Sequence, residues 1–188
     1  MTTAKKLGLS ALLVLLPAVE AAAARLSFRA GASYFLPSDK VFRDIYGGGT
    51  SYGAELALSL GRRWEAWLSA SLFQKTGRLT FTGEETEIRL IPVLAGARFF
   101  FARARLQPYL GLGAGYISYN ETSPLGRSVG GSLGLVGQAG FIVAATSWLS
   151  LNARLSYSYG RTNPEGLAAD LGGLEVSLGL GFGLSPGR

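Results

Sequence analysis

The 188-residue chain contains no cysteine and no histidine. The first absence excludes disulfides, thiolate metal sites, a cysteine nucleophile and an acylated lipoprotein cysteine. The second removes the commonest general base and the commonest transition-metal ligand. Charge is scarce too: 16% of residues are charged, against roughly 25% in an average soluble domain. Hydrophobic residues reach 48%, and 27 residues are glycine, a composition that makes a poor water-facing surface. Long apolar runs are also lacking beyond the N-terminal region. Leu90 to Ala97 is soon stopped by Arg98, far short of a membrane-spanning helix. The length suits one domain with a sizeable core.

The first residues read as an export signal. Lys5 and Lys6 form a basic start, Leu7 to Val19 an apolar stretch, and Ala22, Ala23 and Ala24 a small-residue cleavage site. As a helix the stretch would rise about 20 Å, against a hydrocarbon core of ~30 Å, and Pro17 would interrupt it. Cleavage after Ala24 is expected, leaving 25–188 as the mature domain; an uncleaved anchor is the alternative. Processing would remove Lys5, Lys6 and Glu20 and leave 16 basic and 11 acidic residues, so the basic excess survives.

From residue 26 onward the chain alternates apolar and polar residues with period two, interrupted by turn chemistry. This predicts eight strands, at 26–36, 51–60, 64–82, 86–101, 106–119, 131–145, 148–160 and 172–184, with helix favoured nowhere. Connections alternate in length. Pro37 to Thr50, the hairpin tip near Gly83 and Glu84, Asn120 to Gly130, and Arg161 to Leu171 would form one rim. Tight turns at Gly61 to Arg63, Ala102 to Arg105, and Thr146 to Ser147 would form the other. Such asymmetry is the habit of barrels that span a bacterial outer membrane, whose short turns face the periplasm.

Sorting strand residues by face separates them sharply. One face collects large apolar side chains, such as Tyr34, Leu56, Leu68, Val93, Leu112, Phe141, Leu155 and Leu178, and carries no charge. The other is small, polar and glycine-rich, and holds Arg29, Glu55, Glu65, Arg98, Arg154 and Glu175. An eight-stranded barrel has an interior just wide enough for side chains to fill. The bulky face therefore belongs outside, against lipid, where an Arg near the midplane would cost ~2–4 kcal/mol. The competing arrangement is a soluble barrel with the apolar face inward. It would expose a dozen or so glycines and six charges to water and pack the large residues into the lumen.

Aromatics gather toward the strand ends. Phe28, Trp64, Trp67, Phe99, Phe100, Phe101, Tyr109, Phe141, Trp148 and Phe182 fall near the short turns. Tyr34, Phe35, Tyr52, Phe73, Tyr116, Tyr119, Tyr157 and Tyr159 fall near the long connections. Two girdles at two lipid–water interfaces are expected.

The segments IPVLAGARFFF (Ile91 to Phe101), LQPYLGLGAGY (Leu106 to Tyr116) and GGLEVSLGLGFGL (Gly172 to Leu184) resemble the fourth, fifth and last strands of the small eight-stranded Gram-negative outer-membrane barrels, the OmpA-, OmpX- and OmpW-like group. The resemblance spans the mature chain and implies an all-β, antiparallel, up-and-down transmembrane barrel. Ser177, Gly179, Phe182 and Leu184 are similar to the C-terminal signal read by the barrel-assembly machinery. The usual terminal aromatic is replaced by Leu184, and Ser185 to Arg188 follow it.

Function is less constrained. The six interior charges read as a structural network or as a gated polar path with little steady conductance. Lys75 and Arg78 are candidate contacts for lipopolysaccharide phosphates, and arginines at the short-turn rim could meet anionic headgroups; ordinary solvated rims are the alternative. No metal, cofactor or nucleic-acid motif is present, and a monomer in outer-membrane lipid is expected. The leading reading is a non-enzymatic structural or interaction barrel, with Lys75 to Glu87, including Leu79 and Phe81, as a candidate docking edge. A narrow channel or carrier for small or hydrophobic solutes, as the OmpW-like resemblance implies, is the alternative. A lipid-modifying enzyme fits least, because no catalytic set stands out.

Overall fold

The computed structural model describes residues 25–78, 83–124, 126–162 and 169–184. The expected signal segment, together with Leu79 and Phe81 of the expected docking edge, lies outside them. The elements are β1 (Leu26–Pro37), α1 (Lys40–Tyr46), β2 (Gly49–Leu60), β3 (Trp64–Arg78), β4 (Glu85–Phe100) and β5 (Leu106–Ser123). They continue with β6 (Gly126–Ala144), β7 (Leu149–Tyr159), β8 (Arg161–Thr162), β9 (Ala169–Asp170) and β10 (Gly173–Leu184). Eight long strands form a closed antiparallel barrel in the order β1-β10-β7-β6-β5-β4-β3-β2, and β8 and β9 form a separate two-stranded ribbon. Closure is made by β1 on β10, in register from Leu26↔Leu184 to Pro37↔Gly173. Closing the sheet satisfies the strand backbone internally, the condition for crossing hydrocarbon.

Alternation along each strand sends residues where the pattern predicts. Leu112, Leu133 and Leu178 stand 76%, 83% and 68% exposed on the outer face, while Arg29, Glu55, Glu65 and Arg98 are buried in the lumen.

Four sequence expectations need correction. Helix does form, as α1. Asp39 caps it by accepting from Phe42 N at 3.0 Å, and Gly47 ends it at φ 65°, its N–H donating to Arg43 O at 2.8 Å. Seven residues are too few to hold a helix alone. Phe42 and Tyr46, one turn apart, supply the stabilisation by packing among Phe35, Phe73 and Ile88. Second, Asn120 to Gly130 is not a loop. The β5–β6 ladder runs through it to Ser123↔Gly126. Third, the lumen is not merely small and polar. Trp67, Phe100, Tyr109, Leu90, Ile117 and Ile142 are buried inside it. Fourth, the girdles are thinner than sequence position suggests, because Phe35, Trp67, Phe73, Phe100, Tyr109 and Tyr119 turn inward. Trp64, Phe101 and Trp148 near the short turns, and Tyr34, Tyr52, Tyr116, Tyr157 and Tyr159 toward the other end, remain outside.

The barrel is taller on one side. Strands β3 to β6 have 15, 16, 18 and 19 residues, whereas β1, β2, β7 and β10 have 11 or 12. About 9–11 tilted residues cross a bilayer, so β3–β6 rise beyond it as a wall. The outward face of that rise is polar: Gln74 donates to Glu87, Arg89 to Gln74 at 3.4 Å, and Arg127 Nε to Asn120 at 2.9 Å.

Candidate functional site

The lumen gathers the chemistry of the chain. Adjacent register places Arg29 beside Glu55 and Glu65 beside Arg98, and ion pairs then reach across strands. Arg29 Nη1 lies 2.8 Å from Glu55 Oε1 and 2.9 Å from Glu65 Oε1, while its Nη2 donates to Glu65 Oε2 at 3.1 Å. Arg98 Nη2 sits 2.6 Å from Glu55 Oε2, and its Nε 3.5 Å from Glu65 Oε1. From the far wall Arg154 Nη1 donates to Glu55 Oε2 at 3.2 Å, and its Nη2 comes within 4.0 Å of Glu175 Oε1. Glu175 also accepts from Ser33 Oγ at 2.5 Å and from Ser177 Oγ at 3.3 Å. All six charged residues singled out in sequence thus belong to one ion-paired set on β1, β2, β3, β4, β7 and β10, with three charges of each sign. Charges this far from water require such mutual pairing.

Glycine makes room for it. A Cβ on Gly113 would stand 2.5 Å from Trp67 Cζ2, and one on Gly96 would stand 2.7 Å from the same atom. The indole therefore rests on the bare backbone of β4 and β5. Arg98 lies over this ring too, 5.7 Å from its centroid and 4.9 Å from that of Tyr109.

Apolar clusters stand at both ends of the ion pairs. Toward the long connections, α1 lays Phe42 and Tyr46 onto Phe35, Phe73, Ile88, Leu90, Ile117, Tyr119 and Leu171. The Tyr46 hydroxyl donates to Glu121 at 2.5 Å and lies 3.0 Å from Thr86 Oγ1. Burial, reinforced by that carboxylate, pushes the Tyr46 hydroxyl above its ordinary value, so it stays a donor. Toward the short turns, Phe100, Tyr109 and Ile142 pack together, and Arg103 stacks on Phe100 at 3.7 Å. Between the α1 cap and the ion pairs a cavity of about 80 Å³ remains, lined by serines, Glu175 and Arg154 on one side and by Trp67, Phe73 and Leu94 on the other. It has room for a few waters.

The remaining sequence candidates are dispersed. Lys75 and Arg78 lie on opposite faces of β3: Lys75 points inward beside Gly49, and Arg78 is exposed outside. Ser177 and Gly179 face the lumen on β10, and Phe182 faces outward, stacked on Trp148 at 6.2 Å. Leu184 ends the strand, opposite Leu26. Sequence reasoning missed α1 and its two rings, although Asp39, Gly47 and the Phe42–Tyr46 spacing were legible as cap, stop and stripe. Among the described residues no group of acidic side chains is arranged to hold a metal ion.

A closed antiparallel barrel of eight strands, apolar outside and ion-paired within, defines a small transmembrane β-barrel. The chain belongs to the outer membrane protein beta-barrel domain family, whose model matches residues 9–184. Solved structures agree in fold. Neisserial surface protein A (NspA) superposes with a TM-score of 0.58 at 18% identity, covering 84% of this chain and 96% of that one. The N-terminal β-barrel domain of Pseudomonas aeruginosa OprF gives 0.57 at 17%, covering 85% and 97%. Ail, the attachment invasion locus protein of Yersinia pestis, gives 0.57 at 16%, covering 86% and 99%. No curated protein matches the chain.

Proposed function

We propose that this protein is a non-catalytic barrel of the outer membrane that serves membrane integrity and presents the β3–β6 wall outside the cell as a docking surface. The observation that carries this reading is the filled lumen beneath a raised wall. An apolar cap, a neutral ion-paired layer and a second apolar cluster occupy the bore in succession, which supports a lumen too obstructed for steady solute flow. Function then resides on the outside. The wall's rising edge carries Arg78, Glu85, Arg89 and Arg127, exposed, where lipopolysaccharide phosphates or a partner's polar groups could be met. The attachment protein Ail, similar in fold, is compatible with such a role. Within the same reading, β10 carries the signal read by the barrel-assembly machinery, and the N-terminal 24 residues direct export and are removed.

Recording from the purified, heat-modifiable protein in planar bilayers tests the carrying observation. Steady conductance is expected to be small or absent. Large, stable open levels would overturn the reading in favour of a channel.

A further inference from the structure

The basic excess of the chain is concentrated at one end of the barrel. Arg25 precedes β1, Arg62 and Arg63 make the β2–β3 turn, and Arg103 and Arg105 make the β4–β5 turn. No acidic residue lies in these turns or in the β6–β7 turn. None of the five forms an ion pair among the described residues. The six lumen charges cancel, and at the opposite rim lysines and arginines are interspersed with acidic residues such as Asp39, Asp44, Glu85 and Asp170.

The five arginines also occupy a single arc. Strands β1 to β5 are consecutive neighbours around the barrel, and backbone hydrogen bonds join their ends. Ser59 N donates to Arg25 O at 3.0 Å, and Phe100 N to Arg63 O at 2.8 Å. The complementary arc, at the β6–β7 turn and the described end of β10, carries no charge.

Depth points to the ligand. Trp64, Phe99 and Phe101 immediately adjoin these turns, and Trp64 and Phe101 are exposed on the outer face. Rings of that kind sit where hydrocarbon meets headgroups. An arginine one or two residues beyond a ring extends about 3–7 Å further along the strand, to the level of lipid phosphates. One guanidinium is already pre-positioned by a ring outside the lumen, Arg63 at 5.9 Å from the Phe99 centroid, whereas Arg103 stacks on the lumen-facing Phe100 at 3.7 Å and is turned away from the lipid. A planar guanidinium donates in a fork matched to phosphate oxygens.

We infer that the arc Arg25–Arg62–Arg63–Arg105 is a binding surface for anionic phospholipid headgroups of the periplasmic leaflet, those whose phosphodiester lacks a compensating ammonium. Such lipids would gather on the β1–β5 side and leave the β6–β10 side to zwitterionic ones.

The test uses the folded protein in vesicles of equimolar phosphatidylglycerol and phosphatidylcholine, extracted in mild detergent, with co-purifying lipid quantified by mass spectrometry. Phosphatidylglycerol is expected to be enriched at least about threefold over phosphatidylcholine, and 0.5 M NaCl to reduce the enrichment, because exposed charges are screened. The variant R62Q/R63Q/R105Q should lose most of it, while K40Q/R43Q/R161Q at the opposite rim should keep it. Heat-modifiable migration checks that each variant is folded. Absence of enrichment in the wild type, or equal enrichment in the first variant, would overturn the inference. So would equal loss in the second variant, which would mean only diffuse charge attraction. Binding of isolated peptidoglycan without phosphatidylglycerol enrichment would likewise overturn it and reassign the arc to the carboxylates of the stem peptides.

Discussion

Arg98 Nη2 lies 2.6 Å from Glu55 Oε2, with the arginine side chain wholly removed from solvent and the glutamate nearly so. The two residues sit on β4 and β2, so the contact reaches over the intervening β3 rather than following the ladder. Glu55 also receives Arg29 and Arg154 and is the hub of the ion-paired set.

Removing that hub should leave three buried guanidiniums with too few carboxylates. Glu55→Gln is expected to lower stability by roughly 3–5 kcal/mol. Glu175→Gln, at the more exposed margin of the set, should cost clearly less. Urea unfolding of the barrel in lipid vesicles, followed by tryptophan emission, gives both values. Equal losses would show that Glu55 is not central.

Trp67 rests on glycine backbone, so methyl groups beneath it should be felt. Gly113→Ala would place a carbon 2.5 Å from Trp67 Cζ2 and 2.6 Å from Ala95 O. A cost of ~1–3 kcal/mol is expected, with a shifted indole emission. Gly137→Ala, whose nearest neighbour on the lipid face is Leu112 at 3.8 Å, should be close to neutral in the same assay.

The α1 cap depends on two rings and a hydroxyl. Phe42→Ala should loosen it locally, speeding hydrogen exchange of the 40–46 amides by roughly tenfold or more while the β5–β6 amides keep their protection. Exchange that rises equally throughout the barrel would mean that α1 is part of the global folding unit instead.

Phe182 is surface-stacked on Trp148 and lies in the proposed assembly signal. Phe182→Ala should therefore slow insertion by purified assembly machinery in proteoliposomes more than it weakens the finished barrel. Appearance of the heat-modifiable band against time measures the first, and urea unfolding the second. An unchanged insertion rate would remove Phe182 from that role.

Sequence alone determined the number and order of the long strands and the face on which each charge falls. It could do so because side-chain direction in a strand has period two, and in a closed barrel one face must meet the lumen and the other lipid. The six interior charges were visible for the same reason: Arg29, Glu55, Glu65, Arg98, Arg154 and Glu175 interrupt a face otherwise made of small residues. Only the tertiary structure decided which of them meet, because pairing depends on strand register and on reach over intervening strands, and alternation says nothing about either. Tertiary structure also decided the fate of the rings. Trp67 and Tyr109 sit near strand ends like belt aromatics but alternate with Glu65 and Gly111 on the lumen face, and only the structure shows the bare glycine backbone that receives them. Helix α1 exists for a comparable reason. Its seven residues have little helical stability of their own, and Phe42 and Tyr46 find a partner only once Phe35, Phe73 and Ile88 have been assembled around the mouth of the barrel.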